Sequence, residues 1–260
     1  MRPLFLGLLL FAPVTVALSA DPTPVAPTAT IALFNHRDLD GWTTWLKATG
    51  AEDPRHVFTV EDGMIRISGE DWGGIATIGA YRDYRLVVEW KWGSATWGER
   101  KTAARDSGVL VHAVGEDGAA GGTWLESIES QIIEGGAGDI ILVAGRGHPS
   151  VTAEVRQDGR EIYWQKGAPA RLVTEGRVNW FGRDPNWKDE LGFRGRRDVQ
   201  RPAGQWNRQE VVADGDSLAI WVNGVEVNAV TKASHRAGRI QIQSEGAEIF
   251  VRTVELRPLR

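Results

Sequence analysis

The chain has 260 residues, 12 of them Trp and 31 Gly, with no Cys, and 30 Lys+Arg against 34 Asp+Glu give a formal charge of -4. That balance offers no basic footprint for nucleic acid, and the missing cysteines exclude disulfides, thiolate metal sites and cysteine nucleophiles. The length suits one all-β domain or two smaller domains.

In chain order, Arg2, an apolar run from Leu4 to Val16 broken by Pro13, and Ala17-Leu18-Ser19-Ala20 form the pattern of a cleaved secretory signal over residues 1–20. The run is shorter than a membrane span requires. An exported protein, periplasmic or secreted, with no span after cleavage is expected. Asp21 to Thr30 holds three prolines and reads as an extended linker, so 31–260 is the folded domain.

From Ile31 onward the apolar period is two rather than 3.6. Val57 to Val60 and Met64 to Ser68 flank Asp62-Gly63, a tight-hairpin signal. Tyr84 to Trp92 alternates cleanly, with Leu86, Val88, Trp90 and Trp92 on one face and Arg85, Glu89 and Lys91 on the other. Gly108 to Ala113, Ser127 to Ile133, Asp139 to Ala144, Val151 to Val155 and Glu161 to Gln165 follow. The meander ends with Gln209 to Ala213, Ser217 to Val222, Val225 to Ala229, Arg239 to Gln243 and Glu248 to Leu256. Many short strands at such spacing predict a two-sheet jelly-roll sandwich. Gly93 to Asp106 and Gly145 to Gly204, dense in Gly, Pro, Arg and Trp, read as long inserted loops.

No nucleophile elbow, zincin helix, phosphate loop or dinucleotide fingerprint is present, so no organic cofactor is expected. Chemistry then falls to a carboxylate-rich strand. Glu129 and Gln131 point the same way on a regular strand, and Glu134 joins them only through a bulge. Such a polar face is either a solvated cleft or an ordinary exposed sheet face. Glu89 and Lys91 repeat the pattern, Gln241 and Gln243 alternate with Ile240 and Ile242, and Asp106 precedes a strand that carries His112. Trp90, Trp92 and Trp221, inside strands, are expected in the core. The loop indoles Trp97, Trp180 and Trp187 are candidates for stacking on a sugar ring. An acidic, Trp-rich, exported sandwich points to a carbohydrate ligand.

The ordered set Phe34-Asn35 through Leu39-Asp40-Gly41-Trp42, Val60-Glu61-Asp62-Gly63, Tyr84 to Trp92, Asp106-Ser107-Gly108, Glu129-Ser130-Gln131, Gly204-Gln205-Trp206-Asn207, Trp221-Val222-Asn223-Gly224 and Gly238 to Leu259 resembles the exported 3-keto-glycoside lyase/hydratase family. That family was formerly called 3-keto-disaccharide hydrolase, or domain of unknown function 1080. Many relatives place Asp-His-Gly where this chain has Ser244-Glu245-Gly246. The resemblance implies a concanavalin-like or LamG-like jelly roll. It implies a substrate whose C3 hydroxyl a separate glycoside 3-oxidoreductase has made a ketone.

Elimination from a 3-keto-glucoside needs a base at C2, a cation or donor for the C3 oxyanion and an acid for the leaving oxygen. The candidates are Glu129 as base, Lys91 or His112 as the donating group, and Glu134 or Glu245 as acid. Gln131, Glu89, Asp106, Gln243, Glu245, Trp180 and Trp187 are candidate substrate contacts. A divalent cation on Glu129, His112 and Asp139 could replace the lysine. Two other readings stay open: a two-carboxylate glycosidase using Glu129 and Glu134, and an inert carbohydrate-binding sandwich.

Overall fold

Tyr84–Thr96 shows how the pattern becomes structure: Tyr84, Leu86, Val88, Trp90 and Trp92 are buried, while Arg85, Glu89 and Lys91 keep access to solvent. The Trp90 and Trp92 rings meet edge to face at 5.4 Å, filling much of the space between two sheets. The computed structural model describes residues 21–259, so the expected signal segment, residues 1–20, lies outside the described residues.

The strands in chain order are β1 (Ile31–Ala32), β2 (Trp42–Leu46), β3 (Phe58–Glu61), β4 (Met64–Ile67), β5 (Gly73–Thr77), β6 (Tyr84–Thr96), β7 (Gly108–Val114), β8 (Glu126–Gln131) and β9 (Ile140–Val143). They continue as β10 (Val151–Asp158), β11 (Glu161–Trp164), β12 (Ala170–Val173), β13 (Gly176–Val178), β14 (Asn207–Asp214), β15 (Ser217–Val222), β16 (Val225–Thr231), β17 (Arg239–Ser244) and β18 (Ala247–Pro258). One sheet runs β11-β10-β16-β15-β14-β6-β18-β4-β3, with β1 on β18 and β12 on β10; the other runs β13-β9-β8-β7-β17-β5-β2. The expected all-β, two-sheet sandwich is therefore what the chain forms. Among the described residues no helix is long and apolar enough to cross a membrane.

The hairpin signals hold. Asp62 and Gly63, and Asn223 and Gly224, both take positive φ in two-residue turns. Four departures matter. Gly145 to Gly204 is not one loop, since β10 to β13 lie within it. β5 was hidden because it opens with two glycines. A Cβ at Gly73 would strike the Trp45 carbonyl, and one at Gly74 would strike the Gln241 amide, so close backbone approach overrides strand propensity. Trp221 is not core: it lies on the outer face of the larger sheet, with Arg85 5.6 Å from its ring centroid. The segment read as a linker lies against the domain, with a bridge from Val25 to Tyr81.

Candidate active site on the concave sheet

Within the seven-stranded sheet, β8 lies between β7 and β9, and Glu129 is opposite Leu110 and Ile141. Ile128, Ile240 and Ile242 pack into the inter-sheet core, so Glu129, Gln131, Gln241 and Gln243 turn to the opposite, concave face. Gly108 makes room for them, because a Cβ there would collide with the Glu129 carboxyl and the Gln243 amide. Only glycine allows two polar side chains to meet over this strand.

Arginines from three separate segments close the face. A single 3₁₀ turn, Gly98–Lys101, buries Arg100, whose Nη2 donates to Asp106 Oδ2 at 2.7 Å and Glu245 Oε1 at 3.2 Å. Arg177, on β13, donates to Asp139 Oδ2 at 3.1 Å. Arg183 donates to the same oxygen. Four carboxyls, Asp106, Glu129, Asp139 and Glu245, thus face three guanidiniums, and Glu129 accepts a hydrogen bond from none of them. Buried polar atoms ordinarily find partners. Here Glu129 Oε1, Asp106 Oδ1 and Gln243 Oε1 have none among the described residues. Three acceptors gathered in one place suit a ligand that brings hydroxyl donors.

The electrostatics follow from that geometry. Burial first, and then the neighbouring Asp106 charge, push the Glu129 carboxyl up to about 8, against the opposing pull of Arg177 and the Gln243 amide. Burial also raises Asp106 and Glu245, each further raised by nearby acids and lowered by their shared Arg100. At neutral pH Glu129 therefore holds its proton most of the time, yet becomes a strong base when it releases it. The Arg177 guanidinium feels Asp139, Asp106 and Glu129 together, and its side chain keeps 29% exposure. Of the three guanidiniums it is the most exposed, Arg100 and Arg183 being buried.

The structure gathers Glu129, Gln131, Asp106, Gln243, Glu245 and Asp139 and disperses the other candidates. Gln131 accepts from the Ile132 amide at 2.7 Å through its side-chain oxygen, leaving its nitrogen to donate. Glu134 is spent on the loop: it accepts from Arg105 Nη1 at 2.8 Å, the Arg105 amide at 3.0 Å and the Gly192 amide at 2.7 Å. It anchors residues 181–200, so in the alternative glycosidase pair of Glu129 and Glu134 the second carboxyl is already held by a guanidinium and two backbone amides. Lys91 and Glu89 lie on the outer face of the other sheet, Lys91 over Trp206 and Phe250, and Glu89 bonded to Arg252 and Thr253.

His112 would share the Glu129 face on a regular strand. A β-bulge between Val111 and Val114, with φ 52° at His112, turns it inward instead. Its ring meets the edge of Tyr84 at 5.6 Å, and burial lowers its pKa to about 4. The candidate ligands Glu129, His112 and Asp139 therefore do not converge. Among the described residues no three or more His, Cys, Asp or Glu side chains gather to hold a metal.

The indoles also separate. Trp180 is buried, its backbone amide donating to Asp139 Oδ1 at 2.7 Å, so it packs rather than stacks on ligand. Trp187 bonds the Glu134 carbonyl at 2.8 Å and has the Arg183 guanidinium 4.3 Å from its ring centroid, so it positions that arginine. Trp97 bonds the Ser68 carbonyl at 3.0 Å. Sequence reasoning missed Arg100, Arg177 and Arg183. They sit in Gly- and Trp-rich stretches with many other arginines, and no spacing marks these three. It also missed the Trp72–Trp124 pair, with ring centroids 5.8 Å apart, beside the glycine-rich start of β5.

Among curated proteins none matches the chain significantly. Two solved structures of candidate glycosyl hydrolases from Parabacteroides distasonis ATCC 8503 share its fold. One is 17% identical with a TM-score of 0.52, covering 89% of this chain and 94% of that one. The other is 16% identical with a TM-score of 0.50, covering 88% and 99%. The family profile of the 3-keto-alpha-glucoside-1,2-lyase-like domain matches residues 29–257. With that match spanning nearly all the described residues, the chain belongs to the 3-keto-alpha-glucoside-1,2-lyase-like family and is a carbohydrate-active protein.

Proposed function

We propose that the protein cleaves 3-keto-glucosides by β-elimination at the concave cluster. The observation that carries this reading is Glu129: a buried carboxyl that accepts from none of the three neighbouring arginines, beside two further unpartnered acceptors.

The C3 ketone acidifies the C2 hydrogen, and the Glu129 carboxylate takes that proton. Its electron pair becomes an enolate whose negative charge rests on the C3 oxygen, within reach of Arg177 as the donor. The enolate then re-forms the ketone, makes the C1=C2 double bond and expels the aglycone oxygen from C1. The Glu245 carboxyl, bonded to Arg100 and kept protonated by burial and by the neighbouring Asp106 charge, supplies the proton the leaving oxygen takes. The product is a 3-keto-2-hydroxy-glucal, and water added across C1=C2 by the reverse proton movements gives the free 3-keto sugar. Gln131 and Gln243 hold ring hydroxyls. In this reading the protein is exported and acts on the product of a separate glycoside 3-oxidoreductase.

The test is purified protein with a 3-keto-glucoside and its unoxidised parent, following released aglycone and the ultraviolet band of the conjugated glucal. Release from the keto substrate alone is expected. Release from the parent would favour a glycosidase, and binding without release an inert module.

A further inference from the structure

Beyond the acid cluster, a cavity of about 470 Å³ opens at the end of the sandwich where the β10–β11 hairpin meets the loop after β13. Its volume is that of a site for one ring-sized ligand. Four arginines line it, Arg156, Arg183, Arg196 and Arg197, against the single carboxylate of Asp184. That carboxylate is already engaged: Oδ1 accepts from the Asn186 amide at 2.9 Å and Oδ2 from the Arg196 amide at 3.3 Å.

The arginines are not equally spent. Arg156 pairs with Asp158 at 3.2 Å. Arg183 reaches Asp139 of the acid cluster, so one guanidinium joins the cavity to the candidate active site. Arg196 and Arg197 are exposed and have no carboxylate within ion-pair distance among the described residues. In a chain with more acids than bases, this is a local surplus of positive charge beside a neutral-sugar site. Phe181, 36% exposed and backed by Trp180 at 5.3 Å, gives the cavity an aromatic wall. Guanidinium forks beside an aromatic face recognise a ring that carries an oxyanion.

We propose that this cavity takes an oxyanion, a carboxylate, sulfate or phosphate, borne on the ring of the leaving group, so that the enzyme prefers 3-keto-glucosides with an anionic aglycone. The substrate preference rests on the elimination reading above; anion binding by the cavity does not.

The test compares 4-carboxyphenyl and 4-carbamoylphenyl 3-keto-glucosides, which differ in charge and little in size. The wild type should show a KM at least about ten-fold lower for the carboxylate, the scale of one or two charge-assisted hydrogen bonds. Exchanging both surface arginines, Arg196→Gln with Arg197→Gln, should erase that preference and leave cleavage of the carbamoyl compound unchanged. Equal KM values in the wild type, or a preference that survives the double variant, would overturn the proposal. A second arm reads binding alone, by calorimetry with the unoxidised 4-carboxyphenyl glucoside. A Kd weakened about ten-fold in the double variant, with inorganic sulfate competing in the wild type, supports the anion site. An unchanged Kd sinks it. Failure to cleave either keto compound, with this arm intact, would count against the elimination reading only.

Discussion

Two sheet faces of this protein carry the same sequence pattern and meet opposite fates. On the outer face of the larger sheet, Arg85, Glu89 and Lys91 alternate with buried apolar residues and form solvated pairs: Arg85 with Glu210 at 2.9 Å and Arg252 with Glu89 at 2.9 Å. On the concave face of the smaller sheet, Glu129 and Gln131 alternate just as regularly, but Glu129 is 3% exposed and lacks a partner for one oxygen. The difference comes from what lies over each face. The segments bearing Arg100 and Arg183 press their guanidiniums onto acids of the concave sheet, whereas Glu89 keeps 22% side-chain exposure beside Arg252 and Arg208. Exposed pairs contribute little to stability, whereas an unpaired buried carboxyl is costly and persists where it does chemistry.

The two faces should differ most in turnover. Glu129→Gln should lower kcat on a 3-keto-glucoside by about 10³-fold, the scale of a lost general base, while Glu89→Gln and Lys91→Ala should stay within about two-fold. Comparable losses from both faces would erase the distinction. Next, Arg177→Gln should lower kcat by about 10²-fold with little change in KM, as expected for a donor whose contact forms in the transition state. An effect confined to KM would make Arg177 a ground-state contact instead.

The pH dependence sharpens the contrast. Because the base must be ionised, kcat/KM should rise with pH to a limb near the Glu129 value of about 8. The same shift acts on stability with a definite sign. The folded carboxyl binds its proton more tightly than the unfolded one. Stability from this group is therefore full below the ordinary carboxylate range and is lost as pH rises toward 8. Glu129→Gln should thus unfold at a higher temperature than wild type at pH 8, by an amount worth on the order of 2–4 kcal/mol. A lower melting temperature would mean the carboxylate is stabilised by contacts the geometry does not contain.

His112 has the reverse sign. Its folded pKa of about 4 lies below the unfolded value, so stability falls as pH drops through that window, by at most about 1.4 kcal/mol per pH unit. His112→Asn, which tolerates the positive φ, should flatten this acid limb. The smallest effect belongs to the outer face, where Glu89→Gln should cost under about 1 kcal/mol by thermal melts at moderate salt.

Much of the fold was legible because strands announce themselves locally. Tyr84 to Trp92, the Asp62-Gly63 turn and the Asn223-Gly224 turn need only neighbours two or three residues away to be read. β5 and β13 were not legible, since two glycines or a three-residue strand form only where another strand already lies alongside. The site divided in the same way. Glu129 with Gln131, and Gln243 two residues after Gln241, were readable from alternation. His112 misled because a single bulge reverses a side chain, and Lys91 because alternation cannot tell which face a loop will cover.

Sequence alone determined the all-β class, the hairpin turns, the polar face of β8 and the family resemblance, because period-two burial and turn chemistry are properties of short segments. Tertiary structure alone decided that Arg100, Arg177 and Arg183 would converge on that face and that Glu134 would be spent on a loop. It also decided that Glu129 would be the unpaired carboxyl. Those outcomes depend on contacts between residues 29 to 145 positions apart, such as Arg105 with Glu134 and Arg100 with Glu245. A charge's value as a base depends on who its neighbours are, and the order of residues along the chain does not contain that information locally.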